Sequence, residues 1–349
     1  MLRAVLEDRD RERHSRPALR RLRRSRAALA AAIALALIVG ACLAAPLWAN
    51  HVAGTGPDAN HLTDTVTVDG EERDVVSIDG VPIGPTWQGR YFLGADANGR
   101  DVMVRLLYGG RNSLLIALAA SALCLVLAVA AGLVAGYMRG FVDAAISAAL
   151  DVLWSFPVVI LGVALGVALA LGGLQIGPVV IDGGSLLIPI LVIGVVFVPY
   201  VARPIRAQAR SLREREFVDA ARVSGASSAR VMLGELLPNL TSTIAVFVAL
   251  LVANTILLEA ALSFLGAGVQ PPTPSWGTMI RDGVDLLTSA PHLALAPGIA
   301  VVATVLAVNT LGDAVRDALD PRAPVGLERE AESRAEAASR ARTPAGGSS

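Results

Sequence analysis

Residues 214–240 read EREFVDAARVSGASSARVMLGELLPNL, a charged stretch set in a chain that is otherwise mostly apolar. With the residues just before it, this stretch decides how the chain is laid out. Between positions 206 and 235 stand Arg206, Arg210, Arg213, Arg215, Arg222 and Arg230, together with Glu214, Glu216, Asp219 and Glu235. Each such charge at mid-membrane costs roughly 2.5–3.5 kcal/mol, so the stretch is a loop in water between membrane spans. Good helix formers fill 212–223, and Phe217, Ala220, Ala221 and Ser224 recur at i, i+3, i+4 and i+7. Asp219 and Arg222 are spaced to pair along that helix. Gly225 permits the left-handed turn that ends it, and Ser227 or Ser228 can cap a second helix. The second helix has Val231, Leu233 or Gly234, and Leu237 on its apolar side, and Pro238 closes it and starts the next span. The expectation is a helix-turn-helix elbow whose alanine pair lets another protein approach closely. A helix resting on the membrane surface has the same periodicity, and at this point both readings stand.

Around the elbow the composition is that of a membrane protein. Of 349 residues, 54% are hydrophobic and 17% charged, with a mean hydropathy of +0.58, beyond what a water-soluble domain of this length carries. Six windows reach the roughly 20 apolar residues that a bilayer requires. They are 27–48, 113–138, 144–171, 186–203, 241–265 and 293–314. The predicted fold is therefore an all-α polytopic membrane protein of about six transmembrane helices. Charge sets its orientation. Residues 1–26 hold ten arginines against four acids, whereas nine acids face five arginines between positions 58 and 111. By the positive-inside rule the 1–26 tail is cytoplasmic, 49–112 is external, and loop 204–240 is cytoplasmic. Both termini then lie inside, and the tail from 319 to 349 reads as solvated. The Arg-rich start, the apolar run and ACLAAPLWA also fit a cleaved secretory signal. The length of the apolar run and the five spans after it favour an uncleaved anchor. The Arg run can touch anionic lipid.

The external segment contains TVTVDGEERDVVSIDGVPIG, where polar and β-branched residues alternate around two Asp-Gly pairs, which predicts a small β-hairpin element. Next, Asp96, Gly99, Arg100 and Asp101 predict a turn, followed by a short surface helix over 101–108. A calcium loop needs Gly at its sixth position, where this sequence has Asp101, so no metal site is expected. Pro157 in the third span and Pro189 and Pro199 in the fourth predict kinks.

Several chemistries are excluded. Every one of the 30 basic residues is Arg, so no P-loop lysine exists and the chain cannot supply that ATP site. Cys42 and Cys124 both lie in apolar runs, and the four histidines are scattered. No catalytic constellation, cofactor or nucleic-acid partner is expected. Asp151 and Glu259 fall inside predicted spans, where ionisable residues are functional candidates. They can pack or gate, with Glu259 reaching Ser263 one turn on. Alternatively they relay protons, which would make the chain a proton-coupled secondary transporter.

Asp219-Ala220-Ala221, three residues, Gly225, nine residues, then Glu235-Leu236-Leu237-Pro238 resembles the signature loop of bacterial ABC importer permeases. That motif is Glu-Ala-Ala, three residues, Gly, nine residues, Ile, any residue, Leu, Pro. Asp219 keeps the charge of the Glu on a shorter stem, and Glu235 stands where the motif has an apolar residue. LGADANGRDVMVRLLYGGRNSL, LLEAALSFLGAGVQPPTPSWGTMI (257–280) and LGDAVRDALDPR (311–322) resemble dipeptide, oligopeptide and nickel permeases. The resemblance covers about 90–322, with 53–90 and 172–185 as apparent insertions. It implies a type I ABC importer transmembrane domain, a permease core over 113–318 carrying a coupling loop. It further implies a second homologous permease, two cytoplasmic ATPases that bind the ATP, and an extracytoplasmic substrate-binding protein. Glu216, Asp219, Ala220, Ala221, Gly225, Leu237 and Pro238 would form the ATPase-coupling surface. Asp151, Pro157 and Glu259 would be gating or structural residues.

Overall fold

A computed structural model describes residues 25–68 and 70–319. The tail at 320–349 and all but the last two residues of the tail at 1–26 lie outside the described residues. Helix α1 (Arg26–Leu43) opens on Ser25, whose hydroxyl accepts the Ala28 N–H at 3.2 Å. A short helix α2 (Ala45–Trp48) and a π turn (Ala49–Ala53) lead into the segment between the first two spans. There β1 (Thr65–Val68) pairs antiparallel with β2 (Glu71–Asp74), and a second turn brings Val76 opposite Pro82. Gly70 and the second Asp-Gly pair, Asp79-Gly80, thus fall at reversals of the chain. Val75, Tyr91 and Ala95 form a small core beneath them.

Helix α3 (Val102–Tyr137) runs for 36 residues. The surface helix expected over 101–108 is not separate; it is the first part of α3. No proline interrupts the run, and Gly109 and Gly110 lie tightly against Ser275 and Trp276, so the helix continues through them. At about 1.5 Å per residue α3 is about 54 Å long, well beyond a hydrocarbon core of about 30 Å.

The third span is broken rather than kinked. Helix α4 (Phe141–Trp154) and α5 (Val158–Gly172) meet at 89°. The Ser155 hydroxyl bonds back to the Asp151 carbonyl at 2.7 Å. Pro157 has no N–H to give the preceding turn and becomes the N-cap of α5. A second hairpin follows, β3 (Leu174–Ile176) with β4 (Val179–Ile181), inside the 172–185 insertion.

The fourth span comprises α6 (Leu187–Val196) and α7 (Val198–Leu212), divided at Phe197 just before Pro199. Pro189 makes no kink, because it sits in the first turn of α6, where an N–H has no helical partner anyway. Pro204 lies inside α7. After the elbow, α10 (Leu237–Phe264) forms the fifth span, and α11 (Trp276–Val284) is a short helix capped by Ser275. Helix α12 (His292–Leu319) is the last span.

Among the described residues five helices are long and apolar enough to cross a membrane, and the bent α4–α5 pair, taken as one span, makes a sixth. The main core gathers side chains of α3, α6, α7 and α10, among them Ile116, Cys124, Ile193, Ile205 and Leu262. Helices α3 and α7 approach closely because Gly132 and Gly136 offer no Cβ where Ala202 O and Ala209 Cβ pass. A second cluster, including Cys42, Trp276 and Val301, fastens α1 and α12 to that core.

Candidate functional site

The elbow begins at the end of α7. Arg215 is extended and serves as N-cap to α8 (Glu216–Val223). Glu216 and Asp219 occupy its first turn and Arg222 its last, which suits the helix dipole at each end. Arg222 Nη1 donates to Asp219 Oδ1 at 3.1 Å, the pair expected from spacing. Gly225, at φ +81°, ends the helix. Its N–H bonds to Arg222 O at 2.9 Å and that of Ala226 to Ala221 O at 3.1 Å, the two bonds of a Schellman motif. The Ser227 hydroxyl then accepts from Arg230 N at 3.4 Å and starts α9 (Ser228–Val231). Pro238 does not close this helix. A π turn (Met232–Leu236) carries the chain past the missing proline donor, and 228–264 runs on as one span.

The elbow hangs from the near end of α3. Arg213 is buried and donates through Nη1 to Gly136 O at 3.1 Å and Tyr137 O at 3.3 Å. The Arg222 guanidinium lies 5.2 Å from the Tyr137 ring centroid, and its Nε donates to the Tyr137 hydroxyl at 3.4 Å. That hydroxyl pushes the Arg222 pKa further up. Val218 and Val231 are fully buried. The face expected from periodicity is the open one: Phe217, Ala220 and Ser224 are exposed and Ala221 is half-buried. Gly225 and Pro238 are also exposed, and Leu237 is half-covered. Sequence reasoning missed Val218 and Tyr137, since nothing in local spacing tells which side of a short helix meets the end of another.

The remaining candidates lie elsewhere. Asp151 is on α4, bonded to Arg203 of α7 at 2.6 Å. Glu259, within α10, is fully buried and accepts from the Ser263 hydroxyl at 2.8 Å, as its spacing allows. These two carboxylates have separate partners on separate helices. In the turn before α3, Asp96 accepts from Asn98 N, Arg100 N and Arg100 Nε at 2.9, 3.0 and 2.7 Å. Gly99, at φ +72°, closes that turn. Asp101 caps α3 through Val104 N at 3.0 Å and takes Tyr91 N at 2.7 Å. Arg105, 3% exposed, joins this group at 3.5 Å from Asp96 and from Asp58, and Arg100 reaches Asp282 of α11 at 3.6 Å. Sequence reasoning passed over Arg105 because its partner Asp58 is far away in the chain. Among the described residues no group of three or more His, Cys, Asp or Glu can hold a metal ion.

The model of the family described as "Binding-protein-dependent transport system inner membrane component" matches residues 128–324, over half of the chain. The chain belongs to this family. A model of the N-terminal transmembrane domain of oligopeptide transport permease C also matches 15–62, which includes α1. The permease is 36% identical to the di/tripeptide transport system permease protein DppC of Pseudomonas aeruginosa, covering 68% of this chain and 76% of that one. It is 32% identical to the oligopeptide transport system permease protein OppC of Haemophilus influenzae, over 87% and 88% of the two chains. The glutathione transport system permease protein GsiD of Escherichia coli is 36% identical, over 70% of this chain and 76% of that one. Among solved structures, an inward-facing MetNI methionine ABC transporter chain aligns with a TM-score of 0.50 at 18% identity, over 63% of this chain and 98% of that chain. That likeness concerns the fold. The permease is thus a multi-pass inner-membrane transport component and not an enzyme, and the proton-coupled carrier reading of Asp151 and Glu259 finds no support.

Proposed function

We propose that this permease moves peptides, or a related small solute such as a nickel chelate, into the cell in a complex powered by separate ATPases. A second homologous permease completes the membrane path, two ATPases bind the ATP beneath it, and a substrate-binding protein delivers cargo outside. The observation that carries this reading is the elbow itself. Its glycine-ended helix leaves Phe217 and Ala220 exposed and Ala221 half-buried at the edge of the core, while Val218 is buried and Arg213 and Arg222 fasten the other side to α3. Glu216 stands one turn before Ala220 on the same exposed side, and a face resting on lipid would not carry that charge.

Force applied to Phe217, Ala220 and Ala221 passes through Val218 and the Arg222–Tyr137 contact to the end of α3. Leu237 and Pro238 pass it to α10, which continues from the elbow without a break. ATP-driven closure of the ATPases would then shift the spans between inward- and outward-facing arrangements as packed bodies. The broken helix at Pro157 and the buried Glu259 are the places where such a shift is accommodated. Peptides as cargo are supported by the named relatives.

The test is peptide uptake into vesicles holding the assembled complex. Ala221→Trp fills the thin surface and should abolish ATP-driven uptake while the chain still inserts and binds its sister permease. Uptake that survives with the ATPases still bound would show that the docking surface lies elsewhere.

A further inference from the structure

Two bulky residues between the first two spans have left-handed backbones, Tyr91 at φ +62° and Trp87 at φ +57°. L side chains rarely adopt this conformation, so each needs surroundings that hold it there. Tyr91 has them inside the chain: its ring is buried, and its N–H bonds to Asp101 Oδ2 at 2.7 Å. The backbone at Trp87 is also held. Its N–H bonds to Phe92 O at 3.2 Å, and the neighbouring Thr86 hydroxyl donates to Tyr91 O at 2.9 Å. The Trp87 side chain is not covered, and 67% of the residue is exposed.

Its contacts set its depth. The Phe92 ring centroid lies 5.8 Å from that of Trp48 and 5.4 Å from that of Trp87, both edge-on. Trp48 ends the first span. It stands 22 residues after Arg26 (48 − 26), about 33 Å along a helical path at about 1.5 Å per residue, against a hydrocarbon core of about 30 Å. A Cβ on Gly89 would stand 3.4 Å from Val52 O in the π turn after Trp48. A Cβ on Gly94 would stand 2.9 Å from Nε2 of His292, which opens the last span. The 86–94 segment therefore lies across the ends of two spans, where bilayer gives way to water.

The surface leading there is apolar. Leu37, Leu43 and Leu47 are exposed along α1 and α2, and a groove of about 550 Å³ between Leu47, Trp48, Val52, Met103 and Leu107 continues that face. An exposed apolar face on a span meets acyl chains. Tryptophan is favoured where such a face reaches the headgroups, because its ring is apolar and its N–H is a donor.

We propose that the 86–92 turn is a membrane-surface anchor. The Trp87 indole sits among the glycerol and upper acyl groups of the leaflet at that end of the spans, and an acyl chain lies in the groove beside Trp48. The bilayer supplies the cover that the chain leaves off Trp87. The hairpin segment is thereby held to the membrane directly, besides through α1 and α3. The proposal does not depend on which solute is carried.

The test places p-benzoylphenylalanine at Trp87 in cells that make the whole transporter. Separate variants carry it at Leu37 on the first span and at Glu72 on the exposed strand β2. After irradiation the permease is isolated and weighed by mass spectrometry. Position 87 should gain the mass of a phospholipid, in a yield comparable with position 37, and position 72 should gain none. A protein as the main adduct at 87, whether sister permease or binding protein, overturns the proposal. So does a lipid yield at 87 no higher than at 72. Intrinsic fluorescence in nanodiscs gives a second reading on the unaltered chain. The emission lost in Trp87→Phe should be quenched by brominated phospholipid and spared by iodide; quenching by iodide alone overturns the proposal.

Discussion

Gly99 and Gly225 have nearly the same left-handed backbone, at φ +72° and +81°, in very different surroundings. A Cβ on Gly99 would stand 2.5 Å from the carbonyl carbon of His61, whereas one on Gly225 would meet nothing within 4 Å. Around Gly99 the chain closes on itself. Arg105, Arg100, Asp96 and Asp101 are buried and satisfied by partners from the hairpin segment, α3 and α11. Around Gly225 the backbone turn is equally well defined, but most of the side chains it displays find no partner within the described residues. One end is finished by its own atoms. The other, on the proposed function, is finished by an ATPase subunit.

The largest effect that can break this contrast is expected at Arg105. Arg105→Ala removes a buried guanidinium that donates to Pro57 O at 2.9 Å and stands 3.5 Å from Asp96 and Asp58, and leaves a cavity, so it should destabilise the fold by about 3–5 kcal/mol. Thermal unfolding in detergent measures this, and an unchanged midpoint would show that the closed end is not closed by charge. Gly99→Ala comes next. Left-handed strain of about 1–2 kcal/mol adds to about 1–3 kcal/mol of overpacking against His61. Val218→Ala removes two buried methyl groups, worth about 2 kcal/mol, from the elbow's attachment. It should lower uptake per ATP hydrolysed while the unfolding midpoint of the spans stays almost fixed. Gly225→Ala is expected to be the mildest, at about 1–2 kcal/mol of backbone strain without a clash. If Gly99→Ala and Gly225→Ala prove equally harmful, space around the two turns does not distinguish the ends.

Local chemistry made much of this legible in the sequence. The Gly225 turn, the Ser227 cap, the Asp219–Arg222 pair and the bond between Ser263 and Glu259 each depend on residues within four positions of one another. What stayed hidden depends on distant partners. Spacing placed Phe217, Ala220, Ala221 and Ser224 on one face but could not say that Val218, one step aside, is the side chain covered by the rest of the fold. Pro157 signalled an interruption but not its 89° angle, with which α5 lies against α6 and α10. Pro238 looked like a stop until a π turn absorbed it. The hairpin at 174–181 has β-branched residues around Gly177-Pro178, a signal present but short against the apolar runs beside it. Arg105 carries no local signal, because Asp58, its partner at 3.5 Å, lies in another segment.

The most direct measurement is site-specific cross-linking in the transport-competent complex, with one cysteine at Ala220 on the open end and another, in a separate variant, at Leu62 on the closed end. Cys42 and Cys124 are buried and leave the added thiol as the reactive one. Ala220→Cys should join an ATPase subunit, with a yield that changes between ATP-bound and nucleotide-free states, while Leu62→Cys should not. Failure of Ala220→Cys to join an ATPase in any nucleotide state of a complex that still imports would contradict the account.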